Sequence, residues 1–144
     1  MTLVLLTPIG LDAGCWEELS LPGGDIVRHV FPGSGDRPRA ATRPTMASLA
    51  DEVAASNDDP LDVAGCSLGG MVALNVAVRH PDRVRSPFVA CTGASADPKV
   101  MEQRAVDAET LGIAGVLDGP HMMPLERPAE FGAALAEHLA GVPA

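Results

Sequence analysis

The chain alternates short apolar runs with segments whose apolar residues recur at helical spacing. The run over residues 2–7 is continuous and stops at Pro8, which is typical of a strand buried on both faces of a sheet. Runs at 25–31, 61–66 and 84–91 predict three more strands. Helices are predicted at 45–56 with Thr45 as the cap, at 71–79, at 100–111, and from Pro128 to Gly141. This alternation predicts a parallel sheet with helices on both faces.

The last part of the predicted sheet is less regular. Pro87 lies inside the fourth run and has no N–H group, so it must occupy a position that needs no ladder donor. Residues 112–117 fit either a fifth strand or the end of the preceding helix. The sequence therefore predicts one α/β domain over residues 1–144, with a mostly parallel sheet of about four to five strands.

The charge and composition of the chain argue against some classes of binding partner. The 144 residues include 19 Asp and Glu against 10 Lys and Arg, giving a net charge of −9. This balance disfavours binding to nucleic acid or to an anionic membrane surface. No apolar run approaches the roughly 18–20 residues that span a bilayer. We expect a soluble protein.

The cysteines and other motifs argue against metal and cofactor chemistry. Cys15, Cys66 and Cys91 are widely spaced and form no C-x-x-C pair, so neither a disulfide framework nor a zinc site is predicted. A reducing, cytoplasmic location fits this pattern. The sequence contains no H-E-x-x-H or P-loop motif, and the glycines at 33 and 35 have no third glycine at dinucleotide-binding spacing. We expect no metal and no cofactor.

The informative motif is Gly65-Cys66-Ser67-Leu68-Gly69, which has the form G-x-S-x-G between a predicted strand and a predicted helix. A serine at the apex of so tight a turn needs small neighbours, and the two glycines meet that demand. The amides at the start of the following helix can stabilise the negative charge that forms during acyl transfer. The structural alternative is a glycine-rich turn with an incidental serine.

Residues 61–92 resemble the nucleophile-elbow region of the α/β-hydrolase family, and other segments resemble that family in the same order. Residues 5–12 resemble the oxyanion-hole strand and loop, where His-Gly commonly stands at the positions of Thr7 and Pro8. Residues 31–35 resemble the Pro-Gly-x-Gly loop. Residues 91–114 look like the start of the cap in enol-lactonases of the 3-oxoadipate type, and residues 119–128 like the catalytic-histidine loop.

This resemblance implies roles for individual residues. Ser67 would be the nucleophile and His121 the general base, although His121 could also be a loop histidine that caps a turn. The backbone amides of Ile9 and Leu68 would form the oxyanion hole. Pro8 cannot contribute, because it has no amide hydrogen. Trp16 could line the pocket, but a lone tryptophan after a loop is more often part of the core.

The acid of the triad is the least defined member. Asp97 follows the fourth predicted strand, which is one place from which family members supply the acid. The dipeptide Asp97-Pro98 is equally typical of a helix N-cap. Asp118 and Glu126 are further candidates, but both are close to His121 in sequence.

The chain is short for the family that it resembles. It begins at the oxyanion-hole strand, and the cap and the usual acid-bearing strand would fall near Asp118, where no such segments exist. The strands around Val27 and Val89 should then be edges of the sheet, or nearly so. Exposed edges invite pairing with another chain, so we expect a homodimer or swapped oligomer, no cap domain, and a shallow pocket.

The leading hypothesis is a serine hydrolase that cleaves a small ester or lactone through an acyl-enzyme at Ser67. One alternative is a degenerate hydrolase scaffold that binds a small molecule or a protein partner without turnover. A second alternative is a lyase or cyclase that reuses the oxyanion site, with His121 as its acid and base.

Overall fold

The described residues form a fold organised around a five-stranded parallel sheet. The computed structural model describes residues 2–21, 23–90, 116–117 and 123–143. Its strands lie in the order β2-β1-β3-β4-β5, and each neighbouring pair is parallel. The strands are β1 (Thr2–Leu6), β2 (Asp25–His29), β3 (Leu61–Cys66), β4 (Val84–Ala90) and β5 (Val116–Leu117). The predicted α/β fold with a parallel sheet of four to five strands is confirmed.

The helices of the described ranges are α1 (Met46–Ala54), α2 (Leu68–Arg79), α3 (Met123–Glu126) and α4 (Pro128–Ala140). Short 3-10 turns span Ala13–Trp16 and Pro81–Arg83. Thr45 caps α1 as predicted, because its hydroxyl accepts from the Ser48 amide at 3.0 Å. Helix α2 begins at Leu68, three residues before the predicted start. The helix predicted at 100–111 lies outside the described residues.

Two apolar layers hold helices on opposite faces of the sheet. Alternate residues of β1 point to opposite faces, so Val4 and Leu6 pack with residues of α1 and α2. Leu3 and Leu5 instead pack with Trp16 and with Phe131 of α4. All five residues of β1 are buried, and each large apolar side chain removed from water contributes about 1.5–3 kcal/mol. The continuous apolar run predicted this central position.

Strand β2 is an edge of the described sheet, since β1 is its one neighbour there. Three of its five residues are exposed, among them Asp25 and Arg28. Strand β4 lies between β3 and β5, but β5 pairs only with Val89 and Ala90. The strand around Val27 is therefore an edge as predicted, and the strand around Val89 lies next to one. No helix in the described ranges is long and apolar enough to cross a membrane.

Candidate active site

Ser67 occupies the junction between β3 and α2 in a backbone conformation that serine rarely adopts. Its φ is 55° and its ψ is −117°, and it is the one non-glycine residue with positive φ among the described residues. Such a conformation costs on the order of 1–3 kcal/mol and persists only where the surrounding structure enforces it. The predicted strand–serine–helix turn is thus present, and Ser67 stands at its apex.

Two glycines allow this turn to form. A methyl group on Gly65 would overlap the backbone of Gly69 and Gly70, which lie directly above it at the start of α2. A methyl group on Gly69 would overlap the carbonyl group of Leu6 at the end of β1. The first and last residues of the G-x-S-x-G motif are therefore fixed by close backbone packing, so the motif is more than a flexible turn with an incidental serine.

Backbone amides that could stabilise a negative charge lie at the carboxyl ends of two adjacent strands. At the start of α2, the Met71 amide donates a hydrogen bond to the Ser67 carbonyl at 3.1 Å. The Leu68 amide lies earlier in this first turn, where backbone amides have no carbonyl acceptor within the helix. In the loop after β1, the Leu11 amide donates to the Pro8 carbonyl at 3.4 Å across a turn. Ile9 is the second residue of that turn, and its amide takes no part in the bond that closes the turn.

Sheet register brings these two loops together. Leu6 lies opposite Gly65, so the loop that carries Ile9 and the turn that carries Ser67 leave neighbouring strands, whose spacing is about 4.8 Å. Ligands in open parallel sheets bind at this carboxyl edge. The structure thus places three of the predicted site residues, namely Ser67, Leu68 and Ile9, at one edge of the sheet.

The other predicted site residues cannot be placed in the same way. His121, Asp97 and Asp118 lie outside the described residues. Glu126 is described, and it is an exposed residue at the end of α3. The general base and the acid of the triad therefore stay predictions from the sequence.

Neither cysteine of the described ranges competes with Ser67 as a nucleophile. Burial, with a smaller effect of the nearby Asp12 carboxylate, raises the pKa of the Cys15 thiol to about 12. Cys66 directly precedes Ser67, but its side chain is fully buried in the apolar layer that contains Leu5 and Phe88. A thiolate is the reactive form of cysteine, and an apolar layer disfavours it.

A second serine–histidine pair lies at the opposite end of the sheet. Ser86 Oγ in β4 is 2.5 Å from His138 Nε2 in α4. Ser86 pairs in register with Asp62, near the amino ends of their strands. This serine sits inside β4, next to a shift in the register between β3 and β4, and not at a strand–helix turn like that of Ser67. The pair therefore joins α4 to the sheet and is not a second nucleophilic site.

Two buried polar atoms lack hydrogen-bond partners among the described residues, which the sequence did not predict. Thr7 Oγ1 and Trp16 Nε1 are buried and have no hydrogen-bond partner in the described part of the chain. One feature of the sequence could have pointed to Thr7: it directly follows the buried strand β1, at the position where the family commonly has histidine. Trp16 itself packs against Phe131 with ring centroids 5.6 Å apart, so it belongs to the core.

Within the described ranges, no group of three or more His, Cys, Asp or Glu side chains is arranged to hold a metal ion.

Comparison with known proteins identifies the family. A family model described as alpha/beta hydrolase fold matches residues 29–114, which is 86 of the 144 residues. The chain belongs to the α/β-hydrolase fold family. This confirms the resemblance from which the site residues were predicted. The finer resemblance to 3-oxoadipate enol-lactonases stays a prediction.

Several curated relatives of this α/β-hydrolase-fold chain carry the same name. A pimeloyl-(acyl-carrier protein) methyl ester esterase of Neisseria meningitidis serogroup B is 55% identical over 57 residues, which cover 39% of this chain and 21% of that protein. The protein of the same name from Chromobacterium violaceum is 34% identical over 129 residues, which cover 87% of this chain and 50% of that protein. The chain thus spans at most about half the length of these relatives.

Solved structures share the α/β-hydrolase fold at low sequence identity. A CIB-like hydrolase from Thermoplasma acidophilum superposes with a TM-score of 0.75 at 17% identity, covering 98% of this chain and 86% of that one. An N-acyl homoserine lactone degrading enzyme superposes with a TM-score of 0.55 at 22% identity, covering 97% of this chain and 58% of that one. At these identities the likeness concerns the fold alone.

Proposed function

We propose that this chain is a serine hydrolase that cleaves a small carboxylic ester through an acyl-enzyme formed on Ser67. The observation that carries the proposal is the positive φ of Ser67 at a strand–helix junction that Gly65 and Gly69 enforce. A strained serine of this kind is costly, and the surrounding packing maintains it at the edge where parallel sheets bind ligands. Family membership and the esterase names of the relatives support the same reading.

The proposed reaction has two balanced steps. Ser67 Oγ attacks the ester carbonyl carbon while its proton passes to His121, and a tetrahedral oxyanion forms. The bond to the alcohol oxygen then breaks, and the alcohol leaves with the proton from His121. A water molecule next attacks the acyl carbon, again with His121 as the base, and releases the carboxylic acid and free Ser67. In this proposal Asp97 orients His121, with Asp118 and Glu126 as the other candidates.

The oxyanion would be held by the backbone amides of Ile9 and Leu68. Both residues follow neighbouring strands at the carboxyl edge of the sheet, and the N-terminus of α2 adds its positive dipole end there. Loss of one such donor typically lowers kcat by about 100-fold or more. No side-chain cation is needed for this role.

The substrate class follows from the rim of the site and from the relatives. Ile9 is 71% exposed in the loop after β1, and Met71 is 37% exposed one turn into α2. Exposed apolar side chains on the two segments that follow β1 and β3 favour an ester with an apolar acyl or alcohol part. The relatives are named as methyl ester esterases, which supports an open-chain ester over a lactone.

A fluorophosphonate probe tests the nucleophile directly. We expect the probe to label the wild-type protein and not Ser67→Ala. Ser86→Ala is the matched control, because it removes a serine hydroxyl that lies 2.5 Å from a histidine ring nitrogen at the other end of the sheet. It should keep full labelling at a temperature where it is folded. If the wild type is not labelled and hydrolyses no ester, the chain is a binding scaffold; if Ser67→Ala keeps catalytic activity, a lyase or cyclase mechanism applies.

A panel of model substrates separates the ester and lactone alternatives. Methyl and p-nitrophenyl esters of short acids should be hydrolysed, as followed by acid release at constant pH. Simple five- and six-membered lactones provide the comparison. A higher kcat/KM for the lactones would contradict the proposed preference for open-chain esters.

We also infer that two copies of the chain associate along β2. This strand has one neighbour in the described sheet, and its other edge presents unpaired backbone groups. The exposed side chains of β2 include both Asp25 and Arg28, so a pair of symmetric copies can offer opposite charges to each other. Light scattering should give a mass near twice 14.8 kDa, and a mass equal to one chain would contradict the inference.

A further inference from the structure

The hydroxyl group of Thr7 is a buried donor with no acceptor among the described residues. Thr7 is fully buried, and its Oγ1 makes no hydrogen bond there. A buried polar group without a partner destabilises the folded state, and most native proteins avoid it. A ligand that supplies the missing acceptor is one established reason for keeping such a group.

The same strand contains a threonine whose hydroxyl is satisfied. Thr2 lies at the other end of β1 and is also buried, but its Oγ1 accepts a hydrogen bond from Asn57 Nδ2 at 2.8 Å. The two threonines therefore differ in what surrounds them, although both are buried on one strand. The unsatisfied one lies at the carboxyl edge beside Ser67.

Backbone geometry places Thr7 next to the candidate nucleophile. The Thr7 amide donates to the His29 carbonyl at 3.3 Å, which continues the ladder of β1 with β2 beyond Leu6. Leu6 lies opposite Gly65, so the next position of β1 lies beside Cys66, one residue before Ser67. Ser67 is itself only 9% exposed, so both residues are largely buried where two neighbouring strands end.

The tryptophan Nε1 is a second unsatisfied donor on the same face of the sheet. Alternation along β1 puts Thr7 on the face of Leu3 and Leu5. Trp16 packs in that same layer, and its Nε1 is also buried without a partner among the described residues. Two donors that lack acceptors among the described residues thus lie in the layer beneath the end of β1.

We propose that Thr7 Oγ1 donates a hydrogen bond to the carbonyl oxygen of the bound ester, as a third oxyanion donor beside the amides of Ile9 and Leu68. This inference rests on the proposed function. Pro8 follows Thr7 and has no N–H group, so the loop offers one amide fewer than a loop with another residue there. The hydroxyl of Thr7 supplies a donor from the adjacent position, and the bond strengthens as the carbonyl oxygen becomes charged.

The test compares Thr7→Val, Thr7→Ser and Thr2→Val. Valine keeps the shape of threonine and removes the hydroxyl, so Thr7→Val should leave the urea midpoint of unfolding unchanged or higher. The same variant should lower kcat for a p-nitrophenyl ester by about 100-fold with little change in KM. It should also slow fluorophosphonate labelling. Thr7→Ser should retain most of the activity because it keeps a hydroxyl.

Thr2→Val is the matched control and should show the opposite pattern. It breaks the bond to Asn57, so its urea midpoint should fall, while kcat should match the wild type. If Thr7→Val is labelled and turns over like the wild type, Thr7 is not an oxyanion donor even though the hydrolase function stands. If the wild type itself is neither labelled nor active, the proposed function fails and this inference fails with it. Should Thr7→Val not fold, Thr7→Ala provides the same comparison.

Discussion

The carbonyl group of Leu6 lies against Gly69, so closely that a methyl group on that glycine would overlap it. This contact joins the end of β1 to the first turn of α2. It also fixes the loop that carries Ile9 relative to the turn that carries Ser67. The spacing between the proposed nucleophile and the proposed oxyanion loop therefore depends on a residue without a side chain.

We predict that Gly69→Ala lowers the free energy of unfolding by about 3 kcal/mol, because the backbone of Leu6 cannot move away without disturbing the sheet. Fluorophosphonate labelling should fall as well, even below the unfolding temperature. Gly141→Ala is the matched control, since its new methyl group would lie 3.5 Å from the His138 carbonyl oxygen, an ordinary contact. Urea unfolding followed by circular dichroism measures both. Equal stability of the two variants would contradict the packing argument.

We expect a buried ion pair near the amino ends of β3 and β4 to affect the free energy of unfolding strongly. Asp62 is 1% exposed, and its two carboxylate oxygens accept from Arg85 Nε at 3.0 Å and Nη2 at 2.5 Å. Arg85→Met would leave a buried carboxylate without this partner, so we predict a loss of about 3–5 kcal/mol in the free energy of unfolding. The double variant Asp62→Asn with Arg85→Met should recover part of that loss.

Arg79→Met is the control for this prediction. Arg79 also pairs with a carboxylate, that of Asp51 at 3.0 Å, but both side chains are more than 40% exposed. Exposed pairs contribute at most about 1 kcal/mol. Chemical denaturation should therefore separate the two arginine variants clearly. Similar losses in both would mean that burial of Asp62 does not determine the strength of its pair.

Stability should decline on mild acidification because of His138. Burial lowers the pKa of His138 below its ordinary value of 6.5, and the Asp62 carboxylate opposes this shift only in part. The ring lies between the Ser86 hydroxyl and the Phe88 ring. Below pH 6.5 the unfolded chain binds a proton that the folded chain does not, so the free energy of unfolding falls as the pH drops toward the folded-state pKa.

The measurement is the urea midpoint of the wild type and of His138→Gln between about pH 7 and pH 5. The variant should show a smaller decline. Some slope should remain in the variant, because burial also lowers the pKa of His29. The hydrogen bond from Arg37 lowers the pKa of Glu52 below its ordinary value of 4.5. The contribution of Glu52 to the free energy of unfolding is therefore lost only below pH 4.5, outside this pH range. Identical slopes in the two proteins would show that His138 does not titrate differently on folding.

The local pattern of the sequence predicts much of this fold and part of the site. The continuous apolar run identifies β1, and the mostly apolar run at 61–66 identifies β3, because both strands are buried on both faces. The G-x-S-x-G motif predicts the turn at Ser67, since the glycines that it requires are adjacent in sequence. The pairing of Asp62 with Arg85 could not be predicted, because it depends on the register between two strands. The lack of a hydrogen-bond partner for the Thr7 hydroxyl among the described residues could not be predicted either, because it depends on which polar groups all the neighbouring elements bring close to it.

The strain at Ser67 leads to a prediction about the stability of two variants that both lack the nucleophile. Glycine adopts positive φ at little cost, whereas serine and alanine do not. Ser67→Gly and Ser67→Ala both lack the hydroxyl. The difference between their free energies of unfolding therefore reports the cost of the backbone conformation at φ 55°, without any contribution from the serine hydroxyl. We predict that Ser67→Gly is more stable than Ser67→Ala by about 1–2 kcal/mol in urea unfolding, and that neither is labelled by a fluorophosphonate. Equal stability of the two variants would mean that the turn relaxes when the serine is removed, and that the positive φ is not imposed by Gly65, Gly69 and the neighbouring strands.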